Sequence, residues 1–234
     1  MEKPISKINI TMLILAFIIS AAVFYSCGDS STNSTQTDNL SFSTMSSTDS
    51  IGDSQNIIIL DTVKILIKDI KLNVANNNQD STNFKVGPFV LYLNLSSGIN
   101  EISSAIISAG IYDKIKFEIH KLNDNELVPD PDFADVNGRY SVIVKGRYLG
   151  NNFVYKSDKS AHQILNFPVS VPIVSGNLSN ITLIVKPYIW FISNGVYLDP
   201  GDPSNSNDID NNIKDNIKNN IKAFKDNDKN GIPD

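Results

Sequence analysis

The chain has 234 residues, of which 41% are hydrophobic and 19% charged, with a formal net charge of −5 and a single cysteine. One cysteine excludes an internal disulfide, and the acidic balance argues against nucleic acid as a partner, which calls for a basic face. It also offers no electrostatic hold on an anionic lipid surface.

The first segment in chain order reads as an export signal. Lys3 and Lys7 precede the apolar run 10–25, and Ser26-Cys27-Gly28 follows. A basic start, an apolar stretch and a small residue at the break describe a secretory signal over 1–26. With Cys27 directly after it, the segment resembles a bacterial lipoprotein signal, whose cysteine is acylated after cleavage. It departs from that family at Phe24, where leucine is favoured, and at the bulky Tyr25. The resemblance implies a lipid anchor on Cys27 and a membrane partner. It also implies a site in the cell envelope outside the cytoplasm, at the outer membrane. Two alternatives stand beside it. One is free secretion. The other is an uncleaved anchor, because ~16 apolar residues approach the ~20 needed to span a bilayer.

Residues 27–55 are rich in Ser and Thr and poor in apolar side chains. Such composition cannot offset its ordering entropy, so the expectation is a disordered tether with a mean reach of ~30 Å. Residues 56–198 then alternate with period two, the mark of half-buried strands. Val63, Ile65 and Ile67 hold one phase; Ile70, Leu72 and Val74 hold the next, which predicts a bulge near Lys68-Asp69 or a break. Phe89, Leu91 and Leu93, then Ile115, Phe117 and Ile119, then Tyr140, Val142 and Val144 continue the pattern. Gly150-Asn151-Asn152 reads as a hairpin turn. Residues 102–107 read as a short helix or turn. Pro168 and Pro172 mark an edge strand, because each removes a ladder donor. The run 181–191 is almost continuously apolar and should be covered on both faces. The fold expected is mainly β: a single antiparallel β-sandwich with Greek-key connections and a short C-terminal amphipathic helix.

The stretches 87–95 and 108–117 resemble a domain of unknown function common in bacterial lipoproteins. There a leucine-rich strand is followed by a Gly-x-Tyr-x-x-Ile step, here Gly110-Ile111-Tyr112-Asp113-Lys114-Ile115. That resemblance implies a transthyretin-like or carbohydrate-binding-like sandwich and no catalytic residues.

Residues 199–207 read as a linker, and 208–234 as an amphipathic helix followed by a polar tail. Ile209, Ile213, Ile217, Ile221 and Phe224 fall on one helical arc, with Asp208 as N-cap. The stripe can pack on the sandwich or dock a partner. In the tail, Asp226, Asp228 and Asn230 occupy positions one, three and five of a calcium loop. Gly231 takes position six, Ile232 offers a carbonyl at seven, and Asp234 stands at nine. This run resembles thrombospondin type 3 and dockerin repeats. Without the acidic residue at position twelve, the expected cofactor is weakly bound Ca2+, in the ~10⁻⁴–10⁻³ M range of extracellular modules. A solvated tail is the alternative.

A second acidic run holds Asp124, Glu126, Asp130, Asp132 and Asp135; its two prolines favour a plain loop over a cation site. Tyr188 and Trp190 are candidate ligand-stacking residues for a sugar, or core residues. No local motif of a serine hydrolase, zinc protease or phosphate loop is present, and His120 and His162 read as solvated. The function expected is a non-enzymatic envelope lipoprotein presenting a binding domain for a glycan or an envelope protein. The alternatives are an accessory subunit docking through its C-terminal helix and a hydrolase using paired carboxylates, which need no local motif.

Overall fold

The computed structural model describes residues 37–46, 57–76, 81–96 and 98–234. The expected signal segment, Cys27 and the parts 28–36 and 47–55 of the expected tether lie outside the described residues. The compact unit runs from Thr37 to Asp234. Among the described residues, no helix is long and apolar enough to cross a membrane.

Fourteen strands are described, several only two residues long. They are β1 (Leu40–Ser46), β2 (Ile58–Val74), β3 (Ser81–Tyr92), β4 (Asn100–Ala105), β5 (Gly110–Ile119), β6 (Ala134–Asp135), β7 (Gly138–Arg139), β8 (Val142–Tyr148), β9 (Asn151–Ser157), β10 (Ala161–Ile173), β11 (Ser179–Val185), β12 (Ile192–Ser193), β13 (Val196–Tyr197) and β14 (Lys222–Lys225). One helix, α1 (Ser206–Asn219), precedes the last strand. A small sheet orders β14-β11-β1-β4, and a large sheet orders β10-β5-β2-β8-β9 with β3 on β2. One apolar cluster joins the two sheets, and Phe42 of β1 meets Phe84 of β3 at 5.7 Å. The fold is the mainly β, two-sheet arrangement that the period-two pattern predicts.

Strand β2 organises the large sheet. Lys64–Asn73 of β2 pair with β3 along one edge, while along the other Ile58–Ile65 pair with β8 and Ile67–Val74 with β5. They meet at Leu66, whose N–H donates to Ser141 O and whose carbonyl accepts from His120 N–H. The phase slip in the sequence is a bulge at Lys68 within one continuous strand. The prolines of β10 stand at a sheet edge as expected, with pairing to β5 interrupted between Asn166 and Val171.

Three expectations about the sheets are corrected. The Ser/Thr-rich stretch assigned to the tether contains β1, which is buried in the middle of the small sheet. Leu40 and Phe42 face the core, and the Ser41 and Ser43 hydroxyls each donate to Asn180 Oδ1 at 2.8 Å. A polar strand is buried without loss when its hydroxyls are bonded. β1 also runs parallel to β11, so the sandwich is not wholly antiparallel. Residues 102–107 mostly extend β4 rather than forming a helix or turn. The apolar run 181–191 is covered on both faces as expected, although it is two elements: β11 ends at Val185, and Pro187 opens a 3₁₀ turn over Pro187–Phe191.

The C-terminal helix is shorter than expected. It starts at Ser206 with Asn205 as N-cap, not at Asp208, and ends before Asn220. Ile209, Ile213 and Ile217 are buried against the chain's own body. Ile221 and Phe224 lie beyond it, and Phe224 belongs to β14 on the edge of β11. The asparagines have a use here: Asn212 Nδ2 donates to the carbonyls of Trp190 in the 3₁₀ turn (3.1 Å) and of Ile192 just after it (2.9 Å). Gln163 Nε2 donates to Lys218 O at 2.7 Å, closing the helix C-terminus.

Candidate calcium loop and neighbouring cleft

The tail after β14 lies across the outer face of the small sheet. Asp226 is 0% exposed. Its Oδ2 accepts from the Thr182 hydroxyl (2.7 Å) and Gly231 N–H (3.1 Å), and its Oδ1 from Asn230 N–H (2.9 Å). A carboxylate offers about four lone-pair sites, so three bonds leave room for a further ligand. Asp228 and Asp234 are exposed, and one oxygen from each lies within 4.8 Å of Asp226's. Of the neighbouring lysines, Lys225 Nζ pairs with Asp234 of the cluster itself at 3.0 Å, and Lys229 Nζ turns away to Glu101. Bonds from Asn227 N–H and from Lys225 hold the Asp234 carboxyl below its usual range.

Gly231 makes the bend possible. Its φ is +82°, and a Cβ there would stand 2.7 Å from Met45 Sδ. The Asn230 side chain serves the loop itself, with Oδ1 accepting from Ile232 N–H (2.7 Å) and Nδ2 donating to Asp228 (2.7 Å). Of the five predicted ligands, the fold thus converges the three carboxylates and leaves Asn230 bonded to its own turn. The sequence reading missed Asn180 and Thr182, which seat the loop; Asn180 Nδ2 donates to Asp226 O at 2.9 Å. Their signal was present: two polar residues two apart on an otherwise apolar strand face.

Beside this loop, β10 and β14 run side by side without ladder pairing between them. The seam opens into a cleft of about 390 Å³, walled by Leu165, Pro168, Ile184 and Phe224, with Asn166 and Lys222 as polar members. Gly231 and Pro233 of the tail form part of its rim.

Tyr188 and Trp190 do not form a stacking platform. They are 5% and 1% exposed in the 3₁₀ turn, so neither ring presents a face to solvent. The second acidic run is a neutralised cover over the outer face of the large sheet. Phe133 and Leu122 pack on Leu66 and Ile143 beneath it. Lys64 Nζ pairs with Asp130 and Asp132 at 2.7 Å each, Lys145 with Asp132 at 2.7 Å, and Lys156 with Asp135 at 2.6 Å. Burial pushes the Asp130 carboxyl up, but bonds from Lys64 and Tyr92 outweigh it and bring it down to about 2. Bonds from Lys145 and Lys64 also lower Asp132. Neither is a proton donor at neutral pH. On the same sheet, Glu118 Oε1 lies 3.5 Å from His162 Nε2 and 3.8 Å from His120 Nδ1, too far to hydrogen-bond.

No family model, curated protein or solved structure matches the chain.

Proposed function

We propose that the protein is a non-enzymatic lipoprotein of the cell envelope, anchored through Cys27, whose β-sandwich is a binding domain for a protein ligand and whose C-terminal loop takes a calcium ion. The observation that carries the binding reading is the cleft between the unpaired edges of β10 and β14. The two edges have aliphatic walls and no ladder between them among the described residues; only Lys225 O of β14 is taken, by Asp234 N–H, so the seam suits an extended peptide that adds main-chain hydrogen bonds. A glycan is the weaker ligand, because the aromatic pair that would stack on it is buried. Calcium would be held by the carboxylates of Asp226, Asp228 and Asp234 and would stiffen the rim that Gly231 and Pro233 contribute.

Docking through the C-terminal helix has less support, since its isoleucine stripe is occupied by the chain itself. A carboxylate-dependent hydrolase has less support too, since Asp130 and Asp132 are held by lysines. The test is binding to arrayed extended peptides and glycans by the wild type and by Lys222→Glu, with Lys121→Glu as a distant control. Peptide binding lost only in Lys222→Glu supports the cleft. Silence on both arrays sinks the binding reading.

A further inference from the structure

We infer that the end of the sandwich where the described chain begins is a membrane-contacting surface, seated on the bilayer to which Cys27 would tether it. The inference rests on the lipid-anchor reading above. The strand registers gather this end from distant parts of the chain. Leu40 pairs with both Ala105 and Ser179, Pro172 with Ile111, and Ile173 with Gly110. Asn39 ties them together: its N–H donates to Ala105 O (3.2 Å), its Nδ2 to Ile107 O (2.8 Å), and its carbonyl accepts from Ser179 N–H (3.0 Å).

The two segments brought together there, 105–112 and 172–180, contain no charged residue, in a chain that is 19% charged. They expose aliphatic side chains: Ile106 is 43% exposed, Ile111 54%, Val174 52% and Leu178 53%. Four such side chains on segments that carry no charge of their own suit shallow burial, ~5–10 Å into the headgroup and acyl boundary. No basic patch is needed, which agrees with the net charge of −5. Asp38 stands at the rim, accepting from the Ser104 hydroxyl, and would stay at headgroup level.

Position selects lipid over other occupants. Cys27 precedes Asn39 by 12 residues, which span at most ~40 Å even fully extended. With β1 starting at Leu40, the spacer is much shorter than the 27–55 tether expected from composition. The short spacer enters the fold at the end formed by these two uncharged segments, so that end is the one held near the bilayer.

The test uses the full chain purified from membranes, carrying one added cysteine at Val174→Cys or Leu178→Cys, with Leu127→Cys (a residue 90% exposed on the acidic cover) as control. Each is labelled with an environment-sensitive fluorophore and reconstituted in phosphatidylcholine vesicles with brominated acyl chains. Intact mass reports the state of Cys27. Expected is an acylated Cys27, quenching at 174 and 178, and none at 127, unchanged by salt. Adding Leu178→Asp to the Val174→Cys protein should remove the quenching while a cooperative melt is kept. An acylated Cys27 with unquenched labels at all three positions overturns the inference and leaves the anchor reading standing. A Cys27 that carries no lipid overturns both. Shielding at 174 in lipid-free detergent, with a doubled protein mass by light scattering, assigns the surface to a second copy and also overturns it.

Discussion

Asp130, Asp132 and Asp135 each meet a lysine from a strand of the large sheet, whereas Asp226 on the small sheet meets a threonine hydroxyl and two backbone N–H groups. Both segments are acidic runs broken by Asn, Gly and Pro. In the first, the countercharge is built in, so the loop is a lid with its own small core of Leu66, Leu122, Phe133 and Ile143. In the second, the carboxylates converge while Lys225 answers only Asp234. Acidity alone therefore does not distinguish the two loops. What distinguishes them is how many of these carboxylates are answered by lysines of the strands: Asp130, Asp132 and Asp135 in the first, and Asp234 alone in the second.

Removing the built-in countercharge is the harshest way to break this contrast. Lys64→Met strands Asp130, 8% exposed, without its cation. A loss of about 2–4 kcal/mol is expected in urea unfolding, with a Tyr92→Phe change costing less because the lysine remains.

Calcium should act on the tail and not on the cover. At ~10 mM calcium and a dissociation constant of ~10⁻⁴–10⁻³ M, native-state binding adds about 1.5–3 kcal/mol. A rise in melting temperature is expected in the wild type, abolished by Asp226→Asn with Asp228→Asn, and retained in Asp132→Asn. An unchanged melt and no heat in calorimetric titration of the wild type would remove the metal from the account.

Acid sharpens the contrast from the other side. The Asp130 carboxyl is depressed from 3.8 to about 2 in the fold. A depressed folded value means stabilisation that is complete above about pH 4 and lost as pH falls toward 2; it is worth about 2 kcal/mol. Melting temperature measured from pH 5 to 2 should fall across that window, and the Lys64→Met variant should show a flatter slope there.

The smallest effect is expected at the loop's bend. Gly231→Ala forces a Cβ into the left-handed region against the flexible end of Met45. About 1–2 kcal/mol of stability should be lost, and calcium should recover less of it than in the wild type.

Much of the large sheet was legible from residues alone. Alternation at 63–74, 89–93 and 115–119 marks β2, β3 and β5, and the phase slip locates the bulge at Lys68. The proline spacing identifies β10 as an edge. Of the candidate loop, the spacing of Asp226, Asp228, Gly231 and Asp234 was visible, but its seat on Asn180 and Thr182 was not. Trp190 could be read as ligand-facing or core, because a one-residue pattern carries no depth.

Period-two hydrophobicity and turn residues are short-range properties, so the primary structure alone determined a mainly β domain. Which strands adjoin was decided only in three dimensions. β1 is a serine-rich segment that composition assigns to coil; it is buried because Leu40 and Phe42 fill the core while Ser41 and Ser43 find Asn180, more than 130 residues away. The same holds for the halt of α1 at Asn219 and the switch to β14, since the open edge of β11 offers Lys222–Lys225 ladder partners that no local propensity encodes. Long-range pairing satisfies the backbone groups and hydroxyls that local composition leaves open, and that is where local reading and tertiary structure part.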